Sequence, residues 1–429
     1  MSQNTDYLYF SEKSDYLISQ HYSVYNALAG RSDIIEEHGK YFCFNVTGLM
    51  IIDERIVTVF PKGYSISDKP VTDVSILLRV LLRYRNSRNL EQEEIRMLYG
   101  DQAFKSGRLA AAIALLDDYQ SNGFIRRLNM NRSYKANGFI DWNRTIKTSP
   151  CIISNRRPLY LTPDVRSTYS DPNNIICKIH KAVITECIEM FGLLCGISTN
   201  INEFFPMPIS PSEAVSILKI ELGNTYSQRD IEILKLLIQY LSAKSGADSN
   251  QDLELLVTPF FHNTWEAICG YLFENQYNNL KSIVPKPKWK NAIVSNSISQ
   301  RPDILFIHNN TLFILDAKYY DYNSTLPGWH DVVKQLFYKF TIERYKENNK
   351  AANSTLANVI DIKNVFVLPE NGPKDLLYLG DIYVNDVSEL GDINVYAINL
   401  KKAMMLYAYK SKSNYRNELE MDILSLGKK

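Results

Sequence analysis

The sequence predicts a multidomain α/β protein: a C-terminal mixed sheet flanked by helices, preceded by a small β element and a helical, winged-helix-like region. Three observations predict this. The chain has 429 residues, more than the roughly 100 to 200 of a single domain. Past residue 250, short apolar runs alternate with amphipathic stretches, a pattern solved by a sheet with helices on its faces. Before that, β-branched and aromatic runs at 40–60 give way to helical spacing over 172–246. The expected division is therefore 1–160, 161–250 and 251–429.

In chain order, a short lead is followed by strands at Lys40 to Val46, Leu49 to Asp53 and Ile56 to Phe60, broken at Thr47-Gly48 and Pro61 and read as a small meander. Val71 to Tyr84 places Val74, Leu77, Leu78, Leu81 and Leu82 on one helical face, and Lys105 to Tyr119 follows the same spacing. Next come GFIRRLN, a polar reversal and GFIDWNRTIK, read as a basic two-stranded element. Between Gly123 and Pro158 eight basic residues face the single acid Asp141, which marks Arg126, Arg127, Arg132, Lys135, Arg144 and Lys147 as candidate phosphate contacts.

Helices are expected at Ile175 to Leu194, Pro211 to Leu222 and Arg229 to Leu241, and a polar linker at Ala243 to Asp252. A helix from Pro259 to Glu274 leads to strands Asp303 to His308 and Thr311 to Ala317, a helix Asp331 to Tyr345, and strands at Asn364 to Leu368 and Asp381 to Val384.

Composition narrows the function classes. The formal net charge is +1 with 45% hydrophobic residues, an ordinary globular balance. No run reaches the roughly 18 apolar residues of a membrane helix, and the start has no signal-peptide pattern. A cytoplasmic protein with no membrane association is expected. Its six cysteines contain no Cys-x-x-Cys pair and its six histidines show no metal spacing, so reduced thiols and structural histidines are expected.

The chemistry concentrates in RPDILFIHNNTLFILDAKYY. His308-Asn309-Asn310 has the composition of a tight turn, so Asp303 and Asp316 can meet across a strand pair. Along a strand, side chains alternate, which puts Asp316 and Lys318 on one face and Leu315 and Ala317 on the other. Two carboxylates suit Mg²⁺, a hard cation that also takes waters and phosphate oxygens. Lys318 beside them can neutralise charge on a phosphodiester or orient the attacking water. This is the PD-(D/E)XK pattern, carried by Pro302, Asp303, Asp316, Ala317 and Lys318. On the following helix Gln335 and Tyr338 share a face, where Gln335 can hold a water or a phosphate.

With those residues in place, the C-terminal half resembles the LlaJI-type restriction endonucleases and, more distantly, the McrC nuclease subunits. The likeness rests on Arg301 to Phe306, ILDAKYY and LPGWHDVVKQLFY, with weaker matches at FHNTWEAICG and GFIDWNRTI. It implies a restriction subunit acting on double-stranded DNA, with Asp303 and Asp316 as metal ligands and Lys318 catalytic. In this superfamily the first helix supplies a further carboxylate, here Glu266, and Gln335 assists. RecB-related nucleases place a tyrosine where this chain has Lys339, which sets Tyr338 apart.

The resemblance also implies a McrB-like AAA+ GTPase partner, contacted through residues 40–120. The sequence contains no Gly-x-x-x-x-Gly-Lys-Ser/Thr loop, so it does not supply nucleotide hydrolysis itself. Two other readings are an end-dependent RecB-like repair nuclease and a non-catalytic DNA-binding scaffold that regulates a GTPase.

Overall fold

The computed structural model describes residues 7–52, 55–86, 90–99, 107–133, 138–154, 156–171, 173–197, 205–245, 254–286, 300–349 and 354–426. Two compact units arise, one from residues 1–106 together with 250–429 and one from 107–249. Among the described residues no helix is long and apolar enough to cross a membrane.

The amino-terminal part is more structured than a lead. It holds β1 (Tyr7–Ser11), β2 (Tyr16–Leu17), α1 (Tyr22–Leu28), β3 (Ile35–His38), β4 (Tyr41–Phe44), β5 (Thr47–Ile52) and β6 (Arg55–Phe60). The expected meander is divided between two sheets. β4 is the centre of an antiparallel sheet ordered β2-β4-β3, whereas β5 and β6 form a hairpin onto which β1 adds in parallel. The two sheets share one core containing Phe10, Phe42, Phe44, Val57 and Val59. Every residue of β5 is buried, so it lacks the alternation of a half-exposed strand. Then follow α2 (Pro70–Arg85), with proline at its first turn, and α3 (Gln92–Tyr99).

The second unit begins with α4 (Gly107–Asn122), then β7 (Leu128–Ser133), β8 (Phe139–Ile140), α5 (Trp142–Thr148), β9 (Cys151–Ser154), β10 (Arg157–Tyr160) and β11 (Val165–Ser170). Three helices complete it: α6 (Ile175–Cys195), α7 (Pro211–Gly223) and α8 (Gln228–Ser245). The expected two-stranded basic element is not formed. β7 and β8 each pair with β11 instead of with one another, and WNRTIKT is a helix. Asp141 caps that helix by accepting the Arg144 N–H at 3.2 Å, a local signal stronger than the apolar alternation around it. Helices α4, α6, α7 and α8 pack together, and α7 opens with a Ser210/Glu213 capping box.

The chain then returns to the first unit with β12 (Glu254–Thr258), α9 (Phe261–Leu272), α10 (Tyr277–Leu280), β13 (Ile304–His308), β14 (Thr311–Ala317), α11 (Trp329–Asn349) and α12 (Ser354–Ala357). The remaining elements are β15 (Asp361–Glu370), β16 (Leu376–Ile382), β17 (Ile393–Asn399), α13 (Leu400–Ala408) and α14 (Tyr415–Leu426). β12 completes the amino-terminal sheet against β5. There Gly48, read from sequence as a strand break, lies inside β5 at φ +146°. A Cβ on it would meet the Leu256 carbonyl oxygen at 2.2 Å, so the glycine permits close backbone approach.

The mixed sheet has the order β13-β14-β15-β17-β16, with β14, β15 and β17 parallel and both edges antiparallel. Parallel neighbours need crossovers, and α11 supplies the one between β14 and β15. One face carries Leu312 and Ile314 in a common core with Tyr338 and Ile342 of α11. On the other, Phe313 stacks on Phe306 at 4.9 Å, and Trp265 of α9 donates to the Val367 carbonyl at 3.4 Å.

Candidate active site

The site is set by strand register. Asn309 and Asn310 take φ values of 43° and 66°, the left-handed pair that a two-residue hairpin turn requires. That turn pairs Ile304 with Leu315, so one step further Asp303 faces Asp316 across the ladder. The Asp303 carboxylate also accepts the Ala317 N–H at 3.1 Å, which fixes its orientation.

β13 is the sheet edge, and its outward groups are covered by side chains. Asn275 donates to the Asp303 carbonyl at 2.7 Å and accepts the Leu305 N–H at 3.0 Å. Gln276 accepts the Ile307 N–H at 3.1 Å, while its own N–H donates to the Leu305 carbonyl at 2.7 Å. The strand that carries Asp303 is therefore held on both sides.

Alternation along β14 sends Asp316 to the α11 face with Leu312 and Ile314, and Lys318 follows it. The Lys318 ammonium lies 2.8 Å from Asp316 Oδ2 and 2.7 Å from Asp331 Oδ1. A second ammonium, that of Lys334, is 3.6 Å from Asp316 Oδ1. Asp316 is fully buried, yet neither of its oxygens has an aligned hydrogen-bond donor; the ammonium groups meet it as charges, off the hydrogen-bond direction. Behind Lys318, Tyr319 donates to Glu12 at 2.8 Å and packs on Phe261 at 5.2 Å. Tyr320 donates to Asp331 at 3.1 Å.

Electrostatics follow from this crowding. Burial first, then the Asp316 charge and the Glu266 charge, push the Asp303 carboxyl up to about 9. Burial and then Asp316 raise Glu266. Burial alone would lower Lys318, but Asp316 and Asp331 outweigh it and hold the amine above its usual range. Acids that resist ionising together, one of them with buried oxygens that take no aligned hydrogen bond, fit a divalent cation.

The structure thus brings Asp303, Asp316 and Lys318 together. Glu266, half-buried on α9, feels the charges of Asp316, Lys334, Lys318 and Arg301 but does not close on the pair. Among the described residues, Asp15, His38 and Cys43 form the only group of three or more acids, histidines or cysteines whose ligand atoms all lie within 4.8 Å. Gln335 is fully buried, and its amide nitrogen donates to the Ile314 carbonyl at 3.0 Å and more weakly to Val365 at 3.4 Å. That nitrogen bonds strand backbone and is not offered to a water or phosphate. Tyr338 donates to the Arg301 carbonyl at 3.2 Å. Sequence reading missed Asp331 and Lys334, although Asp331 lies four residues before Gln335 and Lys334 four before Tyr338, which puts them on the same helical face.

Of the basic strip, Arg126 and Lys147 are exposed. Arg127 is not available to phosphate: its guanidinium lies 2.9 Å from both Glu221 and Asp230, largely buried. Arg144 pairs with Asp164 at 2.8 Å. Lys135 lies outside the described residues, as does the side chain of Arg132.

The sequence profile of the LlaJI restriction endonuclease family matches residues 46–400. A similar protein, the Type II restriction enzyme BsuMI component YdjA of Bacillus subtilis (strain 168), is 23% identical over 403 residues, 87% of this chain and 84% of that protein. Among solved structures, a half-complex of Thermococcus gammatolerans McrB AAA+ hexamers with bound McrC aligns over 94% of this chain and 99% of that one, with 13% identity and a TM-score of 0.41. The McrBC complex of the same organism aligns over 61% of this chain and 87% of that one, at 12% identity and a TM-score of 0.30.

Proposed function

The chain belongs to the LlaJI restriction endonuclease family, and from that premise we propose that it is the Mg²⁺-dependent nuclease subunit of a restriction system, cutting both strands of DNA through a PD-(D/E)XK-type site. The observation that carries the reading is the register that sets Asp303 opposite Asp316, with the Lys318 ammonium 2.8 Å from Asp316.

In this reading Asp303 and Asp316 hold the cation, Asp316 through oxygens that take no aligned hydrogen bond from the protein, and Glu266 contributes charge from a greater distance. A bound divalent cation supplies Lewis-acid polarisation of the phosphodiester and a more acidic water. The remaining work falls to the protein. Lys318, kept protonated by its two carboxylate neighbours, is not a general base; it acts as a fixed positive charge against the phosphoryl oxygens. Asp331 sets the direction of that ammonium, and Lys334 adds a second positive group on the same side. Gln335 acts at one remove, tying α11 to β14 and β15 so that Asp316 stays at one height.

Exposed Arg126 and Lys147 are assigned to phosphate contact, with Arg144 sharing its charge with Asp164. The Bacillus relative is described as one component of an enzyme, and this sequence contains no phosphate-binding loop of the Gly-x-x-x-x-Gly-Lys-Ser/Thr type. Both facts support a separate McrB-like AAA+ GTPase as partner, with the protein acting in the cytoplasm, where such a system meets DNA.

The test is cleavage of closed circular plasmid by the protein with its partner, with and without Mg²⁺. Asp316→Ala and Lys318→Ala should each lower the rate by about 10²-fold or more while leaving the fold intact. Undiminished cleavage by both variants would overturn the assignment, and cutting confined to linear DNA would identify an end-dependent nuclease instead.

A further inference from the structure

A second cluster of chemically active side chains lies on the amino-terminal sheet, apart from the nuclease residues. In β4, Phe42 and Phe44 point into the core and are fully buried. Alternation turns Cys43 to the opposite face, where it is just 4% exposed. Its neighbours there are polar side chains. Glu36 of β3 sits directly across from Cys43, and His38 is two residues further along the same strand. On the other side of β4, Tyr16 pairs with Phe42, so the preceding residue, Asp15, comes level with Cys43. A thiol from β4, an imidazole from β3 and a carboxylate from the residue just before β2 therefore converge, with their ligand atoms all within 4.8 Å of one another.

We propose that Asp15, His38 and Cys43 form a binding site for a borderline divalent metal ion of the Zn²⁺ class. The donor set is that of zinc: sulfur, ring nitrogen and one carboxylate oxygen. The spacing agrees as well. Zinc lies about 2.3 Å from a thiolate and about 2.0 Å from an imidazole nitrogen, so a tetrahedral angle between them separates the two ligand atoms by roughly 3.6 Å. Cys43 Sγ and His38 Nε2 stand 3.7 Å apart.

Glu36 is not counted as a ligand. Its carboxylate is 3.6 Å from the Lys13 ammonium and 3.9 Å from His38 Nε2. It balances charge at the rim and leaves the fourth coordination position to water. The mixed thiolate and imidazole character selects against Mg²⁺, which prefers an all-oxygen shell. The site is thus chemically distinct from the paired carboxylates of Asp303 and Asp316, and it does not depend on the nuclease reading.

An ion here would tie β2, β3 and β4 together. These strands are two, four and four residues long, short enough for a crosslink to matter.

The experiment uses the full chain, stripped of metal and titrated with Co²⁺ and then Zn²⁺. One equivalent of Co²⁺ should produce a near-ultraviolet thiolate-to-cobalt charge-transfer band that Zn²⁺ displaces and excess Mg²⁺ does not. Cys43→Ser should abolish the band. His38→Ala and Asp15→Ala, both at exposed positions and so expected to fold, should weaken Zn²⁺ affinity by about tenfold or more in competition with a chromophoric chelator. Asp316→Ala should leave the band unchanged, and Zn²⁺ should raise the melting temperature of the wild type but not of His38→Ala. Absence of the band in the wild type overturns the proposal; so does a band that survives Cys43→Ser, or Zn²⁺ affinity unchanged by His38→Ala.

Discussion

Asp303→Asn separates the stability of the nuclease site from its activity. The wild-type carboxyl is pushed from 3.8 up to about 9, chiefly by burial and by Asp316 opposite. In metal-free protein the unfolded chain releases this proton above about pH 4, whereas the folded chain keeps it until about pH 9. Stability is therefore lost as pH rises through that window. At pH 7 the gap from 3.8 is just over three units, and at about 1.4 kcal/mol per unit the ceiling on this strain is about 4 kcal/mol. Solvent at the half-buried Asp303 side chain screens part of it, leaving about 1–2 kcal/mol.

Asparagine keeps the shape and can still accept the Ala317 N–H, but it has no proton to lose. Metal-free Asp303→Asn should accordingly melt about 2–3 °C above the wild type at pH 8, with the difference shrinking by pH 5. Added Mg²⁺ should stabilise the wild type and leave the variant unmoved, and the variant should not cut plasmid. The assay is a set of thermal melts in chelator and in Mg²⁺ at both pH values. A variant that melts at or below the wild type at pH 8, in a protein that Mg²⁺ does not stabilise, would refute the claim that burial beside Asp316 holds the Asp303 carboxyl protonated.

Three further outcomes are expected. Charge reversal at exposed Lys147 should weaken DNA binding irrespective of sequence and lower the slope of log affinity against log salt by about one, whereas Arg127→Ala should leave that slope alone and destabilise the protein, because it strands Glu221 and Asp230. Asp331→Asn should slow cleavage without altering Mg²⁺ binding measured by melting, since Asp331 reaches the site only through the Lys318 ammonium; lost Mg²⁺ stabilisation would make it a ligand instead. Asp73→Ala should cost about 3 kcal/mol in urea unfolding at pH 7. Burial works against ionising Asp73, but Lys401 at 2.6 Å, Ser67 and Tyr64 hold its carboxyl below the usual range, so the contribution it makes at neutral pH should fade as pH drops below about 4.

The strand pair around Asn309-Asn310 was legible because turn composition and period-two alternation are both local, and together they fix which side chains share a face. The helices at 70–85, 107–122 and 211–223 were legible for the same reason, as repeated apolar spacing shows them directly. Residues contributed by tertiary packing were not. Asp331 and Lys334 read as ordinary surface charges of a helix until α11 is laid across β14. His38 and Cys43 have no recognisable metal spacing in sequence, since the third member, Asp15, lies just before β2, more than twenty residues earlier. Competing local signals caused the error at 138–148, where a capping aspartate overrode a strand-like run of apolar residues. β17 was missed because its partners, β15 and β16, lie on either side of it only after the chain has crossed over.

The side-chain cover on β13 has a consequence for assembly. A sheet margin with free amides and carbonyls invites another extended segment to dock, from a second copy or from an unrelated polypeptide. Here the outward positions at 303, 305 and 307 are already satisfied by Asn275 and Gln276. Growth of the sheet from this side is closed off, so the margin that carries Asp303 does not serve as a template for aggregation.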